Sequence, residues 1–193
     1  MATIVLRDRT IVDDPLVQAL AFVEAYGAPG EDPEPGSFGE PDLRRANRGG
    51  ARISAAEIGA ILERQGEIEL ALGAIAAAAA LTAHSVPWAE LERLFESFGG
   101  LKGVGLSKMT KALHPKRPAL IPMLDSVVQE YLGPAARGGF GERATELVRA
   151  YKRDLDRNRG ALREVRRELA GRGHRLTEVR ILDVLIWSAS AAG

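Results

Sequence analysis

The chain contains no cysteine. Disulfides, thiolate zinc sites and cysteine-ligated iron–sulfur clusters are therefore excluded, and a reducing cytoplasm is the expected location. Aromatic residues are scarce at 5%, yet 46% hydrophobic and 27% charged residues is the balance of a folded globular chain. No apolar run approaches the ~20 residues that cross a bilayer. The longest, residues 70–83, is short and alanine-rich, and Arg7, Asp8 and Arg9 break up any signal-peptide core. No membrane partner is expected. The three histidines, His84, His114 and His174, are dispersed without ligand spacing, so no metal is expected either.

What is abundant is Ala, Leu, Arg and Glu, all good helix formers. With 193 residues the expectation is a single all-α domain over residues 1–193, monomeric, with residues 3–12 as a short extended N-terminal segment. The net charge of zero hides a separation: residues 1–100 sum to −8, residues 101–180 to +9 and residues 181–193 to −1. A local basic surface suits phosphates even where the total is neutral. The alternative is that these Lys and Arg side chains solvate helix faces.

Helix punctuation divides the chain. Asp14-Pro15 starts a helix that Gly27 stops, and the Gly/Pro/acidic stretch 27–41 is a flexible loop. Ser54 and Glu57 form an S-x-x-E capping box, and a second helix past Gly66 is expected to run through the alanines AIAAAAAL. Leu91, Leu94, Phe95 and Phe98 mark one face of a helix ended by Gly99-Gly100, and a short helix follows from Ser107 to Leu113. Asp125 stands at an N-cap before a helix over 126–132 closed by Gly133-Pro134. Residues 142–169 read as a charged amphipathic helix broken near Asn158, and Thr177 to Ala191 as an apolar one.

Residues 87–132 hold the informative block. Two helices joined by LKGVGL make a helix-hairpin-helix, in which Gly103 and Gly105 permit the turn and Val104 anchors it. Its outward amides form a nest of donors suited to a phosphate oxygen, flanked by Lys102, Lys108 and Lys111. Asp125 follows Gly105 by 20 residues.

The stretch LKGVGLSKMTKAL…IPMLDSVV resembles the helix-hairpin-helix (HhH-GPD) DNA glycosylase superfamily, as a short, divergent bacterial branch of it. There a G-V-G hairpin is followed, after a Pro-containing segment, by an Asp that opens a helix. The resemblance implies that Leu101, Lys102, Gly103, Val104, Gly105, Ser107, Lys108 and Lys111 hold a phosphate of double-stranded DNA. It implies that Asp125 is the catalytic carboxylate and that no cofactor is needed beyond a monovalent cation that the hairpin can accept. Chemistry agrees: a carboxylate beside C1′ stabilises an oxocarbenium-like sugar and orients water, once the nucleotide has been flipped out of the stack. Ser107 stands where bifunctional members carry a Schiff-base lysine, which points to a monofunctional enzyme. Lys102 replaces the usual proline, and Met109 a small residue.

Several other residues are candidates for a base pocket or DNA contact. Asn47 and Arg48, in a polar stretch RRANRGG that otherwise reads as a solvated turn, can read or replace a base. Tyr26, Trp88 and Trp187 offer stacking faces, and Asp183 lies one turn before Trp187. His114 can contact phosphate or cap carbonyls, and the Lys152–Arg167 run is mostly a salt-bridged exposed helix. The expected function is a monofunctional DNA N-glycosylase in repair or in defence against phage with modified DNA. The alternative is a non-catalytic helix-hairpin-helix DNA-binding protein.

Overall fold

The structure is a computed structural model and describes residues 3–7, 9–26, 34–135 and 137–191. Among these the fold is all-α apart from one small sheet, in which β1 (Ile4–Val5) pairs antiparallel with β2 (Ile11–Val12). Helices α1 (Pro15–Tyr26), α2 (Glu40–Arg48), α3 (Ala55–Leu62), α4 (Gln65–Gly73) and α5 (Trp88–Glu96) lead to the hairpin. Beyond it come α6 (Leu106–Leu113), a 3-10 turn at His114–Lys116, α7 (Ser126–Leu132), α8 (Phe140–Arg157), α9 (Arg159–Gly171) and α10 (Glu178–Ala191).

Two packings set the position of the hairpin. Ala144, Leu147, Val148, Tyr151 and Leu155 form the buried face of α8 at helical spacing, and this face meets α5 through Leu91, Leu94 and Phe95. The two backbones approach so closely at Gly141 that an added Cβ would overlap the carbonyl oxygen of Glu92. The Glu96 carboxylate accepts the Gly141 N–H at 2.6 Å, tying the start of α8 to the end of α5. Behind them α10 is buried along Ile181–Ile186 and packs on α1, α7 and α9, so it forms the centre of the core.

The α8/α9 break falls at Asn158. Its amide accepts from Val5 N at 2.9 Å and donates to Val5 O at 3.0 Å, pairing with β1 as a third strand would. The same Nδ2 also donates to Asp154 O, which caps α8.

Two expectations are corrected. The alanine run does not continue α4, which ends at Gly73. Arg117 is the cause: its guanidinium donates to Leu72 O at 3.0 Å and Ile75 O at 3.2 Å, occupying carbonyls that a longer helix would need. Leu81 N then pairs with Ala119 O at 2.9 Å, and buried Ile75 and Leu81 pin the intervening turns. The second correction is that RRANRGG is not a solvated turn, because its first residues belong to α2. Asp42 begins that helix by accepting from Gly39 N at 3.0 Å, and then pairs with Arg45 at 2.8 Å and buried Lys116 at 2.9 Å. Lys116 and Arg117 thus serve the interior, whereas both expectations for the basic half of the chain put its Lys and Arg side chains at the surface. Of the expected loop 27–41, residues 27–33 lie outside the described residues, Glu34 and Pro35 offer their carbonyls to Lys116 and Arg117, and Glu40 and Pro41 belong to α2 instead.

Candidate nucleic-acid interface

Helix α5 ends against a turn that takes two positive-φ glycines, Gly100 (φ +73°) and Gly103 (φ +80°), conformations costly for any residue with a Cβ. Arg64 braces the near side by donating to Ser97 O at 3.1 Å and Gly99 O at 2.8 Å. Val104, buried, anchors the turn, and its N–H closes on Leu101 O at 3.1 Å. Gly105 is extended and precedes α6 without a side-chain acceptor. Since the first backbone bond into α6 runs from Met109 N to Gly105 O, the amides of Leu106, Ser107 and Lys108 have no acceptor within the helix. The helix dipole adds positive potential at the same end.

The lysines around this turn differ in their engagement. Lys102 is exposed. Lys111 donates to Gly50 O at 3.3 Å, which draws the end of α2 alongside the hairpin helix. Lys108 Nζ lies 2.7 Å from both carboxylate oxygens of Glu57 on α3. The Glu57 side chain also rests against Gly103, where a Cβ would overlap Oε1. Lys108, and next the Ser54 N–H, hold the Glu57 carboxyl below the usual glutamate range. The capping box was legible in the sequence, but this second partner, 51 residues away, was not.

Asp125 caps α7: one oxygen, Oδ1, accepts the Val128 N–H at 3.0 Å, and the side chain is half-buried. The segment leading to it is clamped residue by residue. Ile121 O meets Nδ1 of buried His114 at 2.6 Å, Met123 N donates to Asp183 Oδ2 at 3.2 Å, and Leu124 N donates to Thr110 Oγ1 at 3.0 Å. Thr110 sits on α6 itself and donates to Leu106 O at 2.9 Å. Ser107, one turn earlier, shares its face of the helix. His114 is a carbonyl partner inside the fold, and its burial removes it from phosphate contact.

Asp183 lies beneath this segment, 3% exposed, with Oδ1 buried and without a hydrogen-bond partner. Burial pushes its carboxyl up to about 7, the Asp125 charge pushes the same way, and Arg180, the Met123 N–H and Tyr151 oppose it. Arg180 Nη1 stands 4.0 Å from Asp183 Oδ2 and 3.4 Å from Met123 Sδ. Burial likewise pushes His114 down to about 4, with the Arg180 charge contributing.

Asn47 and Trp88 engage other parts of the fold. Asn47 commits both ends of its amide to Ile53, donating to its carbonyl at 2.8 Å and accepting from its N–H at 2.6 Å, so it shapes the turn after α2. Arg48 remains exposed at that turn, beside the hairpin helix. Trp88 begins α5, so it is separated from the turn by the length of a nine-residue helix, and Arg149 covers its ring at 4.1 Å. Trp187, 44% exposed, lies one turn beyond Asp183. The Tyr26 side chain lies outside the described residues. A groove of about 550 Å³ runs from Leu106 past Gln129, Glu130 and Gly133 to Arg143 and Leu147. It adjoins the hairpin and the C-terminal end of α7, the end opposite Asp125.

Among the described residues, no group of three His, Asp or Glu side chains is arranged to hold a metal, and no helix is long and apolar enough to cross a membrane. A family of unknown function, DUF6308, matches residues 24–190. The chain belongs to the DUF6308 family. Comparison with curated proteins and with solved structures gave no match. The DUF6308 match takes in the hairpin, Glu57, Asp125 and Asp183 and leaves β1 and β2 outside it.

Proposed function

We propose that this DUF6308 protein grips double-stranded DNA by the α5–α6 hairpin and uses Asp125 to hydrolyse an N-glycosidic bond, releasing a damaged or modified base. The observation that carries the reading is the Leu124 N–H to Thr110 Oγ1 bond, which fixes the backbone next to Asp125 to the helix whose first turn offers the free amides. A phosphate bound at those amides and the Asp125 carboxylate would thereby stand in one fixed relation, as positioning catalysis requires.

The proposed chemistry needs little else. With the nucleotide extruded, loss of the base leaves positive charge on C1′, which the Asp125 carboxylate stabilises while water adds and the base departs with a proton. Asp125 Oδ1 is committed to the Val128 N–H, so the proposed chemistry would use Oδ2. Ser107 offers no amine, so the product is an abasic site with the strand intact.

The test is abasic-site formation, read by alkaline strand cleavage, on duplexes carrying damaged, mismatched or phage-type modified bases, with Asp125→Asn in parallel. Cleavage of one substrate by the native protein alone supports the enzyme. Salt-sensitive binding without abasic sites on any substrate favours the second reading, a non-catalytic DNA-binding protein. The N-cap bond of Asp125 favours that reading too, since it gives the side chain a purely structural use.

A further inference from the structure

The hairpin already carries an anion, and it belongs to the protein. The Glu57 carboxylate lies against Gly103, at the tip of the turn, and takes two hydrogen bonds of 2.7 Å from Lys108, the third residue of α6. Neither partner is a loosely solvated surface group: the Lys108 side chain is 23% exposed and that of Glu57 14%. Glu57 is held in this orientation from a second direction, because Oε2 also accepts the Ser54 N–H at 2.8 Å across the capping box.

We infer that Glu57 sets the affinity of the hairpin for DNA by competing, as a built-in carboxylate, with the phosphate for Lys108. This rests on the DNA-binding reading given above. Phosphate and carboxylate present the same kind of oxygen acceptor to an ammonium group, and Glu57 already takes two of the three Lys108 N–H donors and offsets its charge. Placed at the tip, Glu57 also sets a negative charge beside the path of the DNA backbone. For Lys108 to serve a phosphate at full strength it must turn from Glu57, and the α3 N-terminus, which is anchored to Glu57, feels the exchange. Glu57 is thus a positioning residue for Lys108 and touches no reacting atom.

The charge is separable from the fold by a conservative change. Glu57→Gln keeps an acceptor for the Ser54 N–H, as Gln serves this position of a capping box as well as Glu does, while it removes the negative charge and puts an NH2 donor in place of one oxygen that Lys108 now uses. Ser54→Ala does the reverse, weakening the box while leaving the carboxylate on Lys108.

The experiment is fluorescence anisotropy of a labelled 20-base-pair duplex titrated with the full chain over a salt series. The expected result is that Glu57→Gln binds roughly tenfold tighter than the native protein at low salt. Its plot of log K against log salt should be steeper by up to ~0.9, because Lys108 then displaces one further counterion. Ser54→Ala should not tighten binding, and a Ser54→Ala protein that tightens binding as much as Glu57→Gln would assign the effect to loosening of α3 and overturn the inference. Equal affinity and equal salt slope for native and Glu57→Gln, both binding, would also overturn it while leaving the DNA-binding reading in place. Absence of binding by either protein at any salt concentration would instead remove the DNA-binding reading itself.

Discussion

Thr110 Oγ1 accepts the backbone N–H of Leu124 at 3.0 Å, and through that bond the hairpin helix fixes the residue preceding Asp125. Asp125 therefore combines a structural role with the proposed chemical one. The two are separable by substitution. Asp125→Asn retains a capping acceptor and should melt within ~1 °C of native, since Asn and Asp rank together at N-caps. Asp125→Ala should lose about 1 kcal/mol of stability, read by urea denaturation. Both should lower abasic-site formation by at least ~10³, equivalent to about 4 kcal/mol of transition-state stabilisation. An Asn variant that keeps native turnover would leave the cap as the only role of Asp125.

Asp183 and His114 make opposite contributions to the pH dependence of stability. The Asp183 carboxyl, raised to about 7 in the fold from its ordinary 3.8, binds a proton that the unfolded chain has already released. Its contribution is full below pH ~4 and is lost as pH rises towards 7. His114, lowered to about 4 from 6.5, contributes above its ordinary value and loses that contribution as pH falls through the folded value. Asp183→Asn should therefore flatten the alkaline side of the stability curve measured between pH 4 and 8, gaining on the native protein as pH rises. A curve parallel to native over that range would show that Asp183 is ionised in the fold.

Gly103→Ala meets two penalties at one position, a φ of +80° and the overlap of the new Cβ with Glu57 Oε1. A loss of about 1–2 kcal/mol is expected from the backbone alone. In a double-mutant cycle Glu57→Ala should recover the clash and leave the backbone part, giving a coupling above ~0.5 kcal/mol. Additive losses would mean that Glu57 moves aside without cost.

Gly141→Ala pushes α8 off α5, because the added methyl overlaps Glu92 O and comes within 2.9 Å of Glu96 N, both helix backbone. About 1–3 kcal/mol is expected, as for other overpacked cores. Helix α5 is the first arm of the hairpin, so the proposed salt-dependent DNA binding should weaken along with stability. Unchanged melting would show that the two helices can part at Gly141 without penalty.

The parts of the fold that were legible in the sequence are those fixed locally. Pro15 opening α1, the Ser54 box, the Gly99-Gly100 stop, Asp125 before Ser126 and the break at Asn158 all act through backbone conformation and neighbouring hydrogen bonds. The failures have long-range causes. Helix-forming alanines after Gly73 turn because Arg117, more than 40 residues later, takes the carbonyls at 72 and 75. Just ahead of RRANRGG, Asp42 finds Lys116, a partner no local pattern announces. At the candidate site the turn and the cap were readable, whereas the pairing of Lys108 with Glu57, the seat of Asp183 beneath Met123 and the covering of Trp88 by Arg149 depend on how separate helices meet.

The double hydrogen bond between Asn158 and Val5 spans 153 residues of chain. A contact of that separation closes nearly the whole chain into a loop, and the entropy of that closure must be met before the bond contributes anything. The local pairing of β1 with β2 does not carry that cost, but its docking on Asn158 does. The two bonds are therefore a seal that joins the N-terminal end of the described chain to the α8/α9 corner, so that loosening one releases the other.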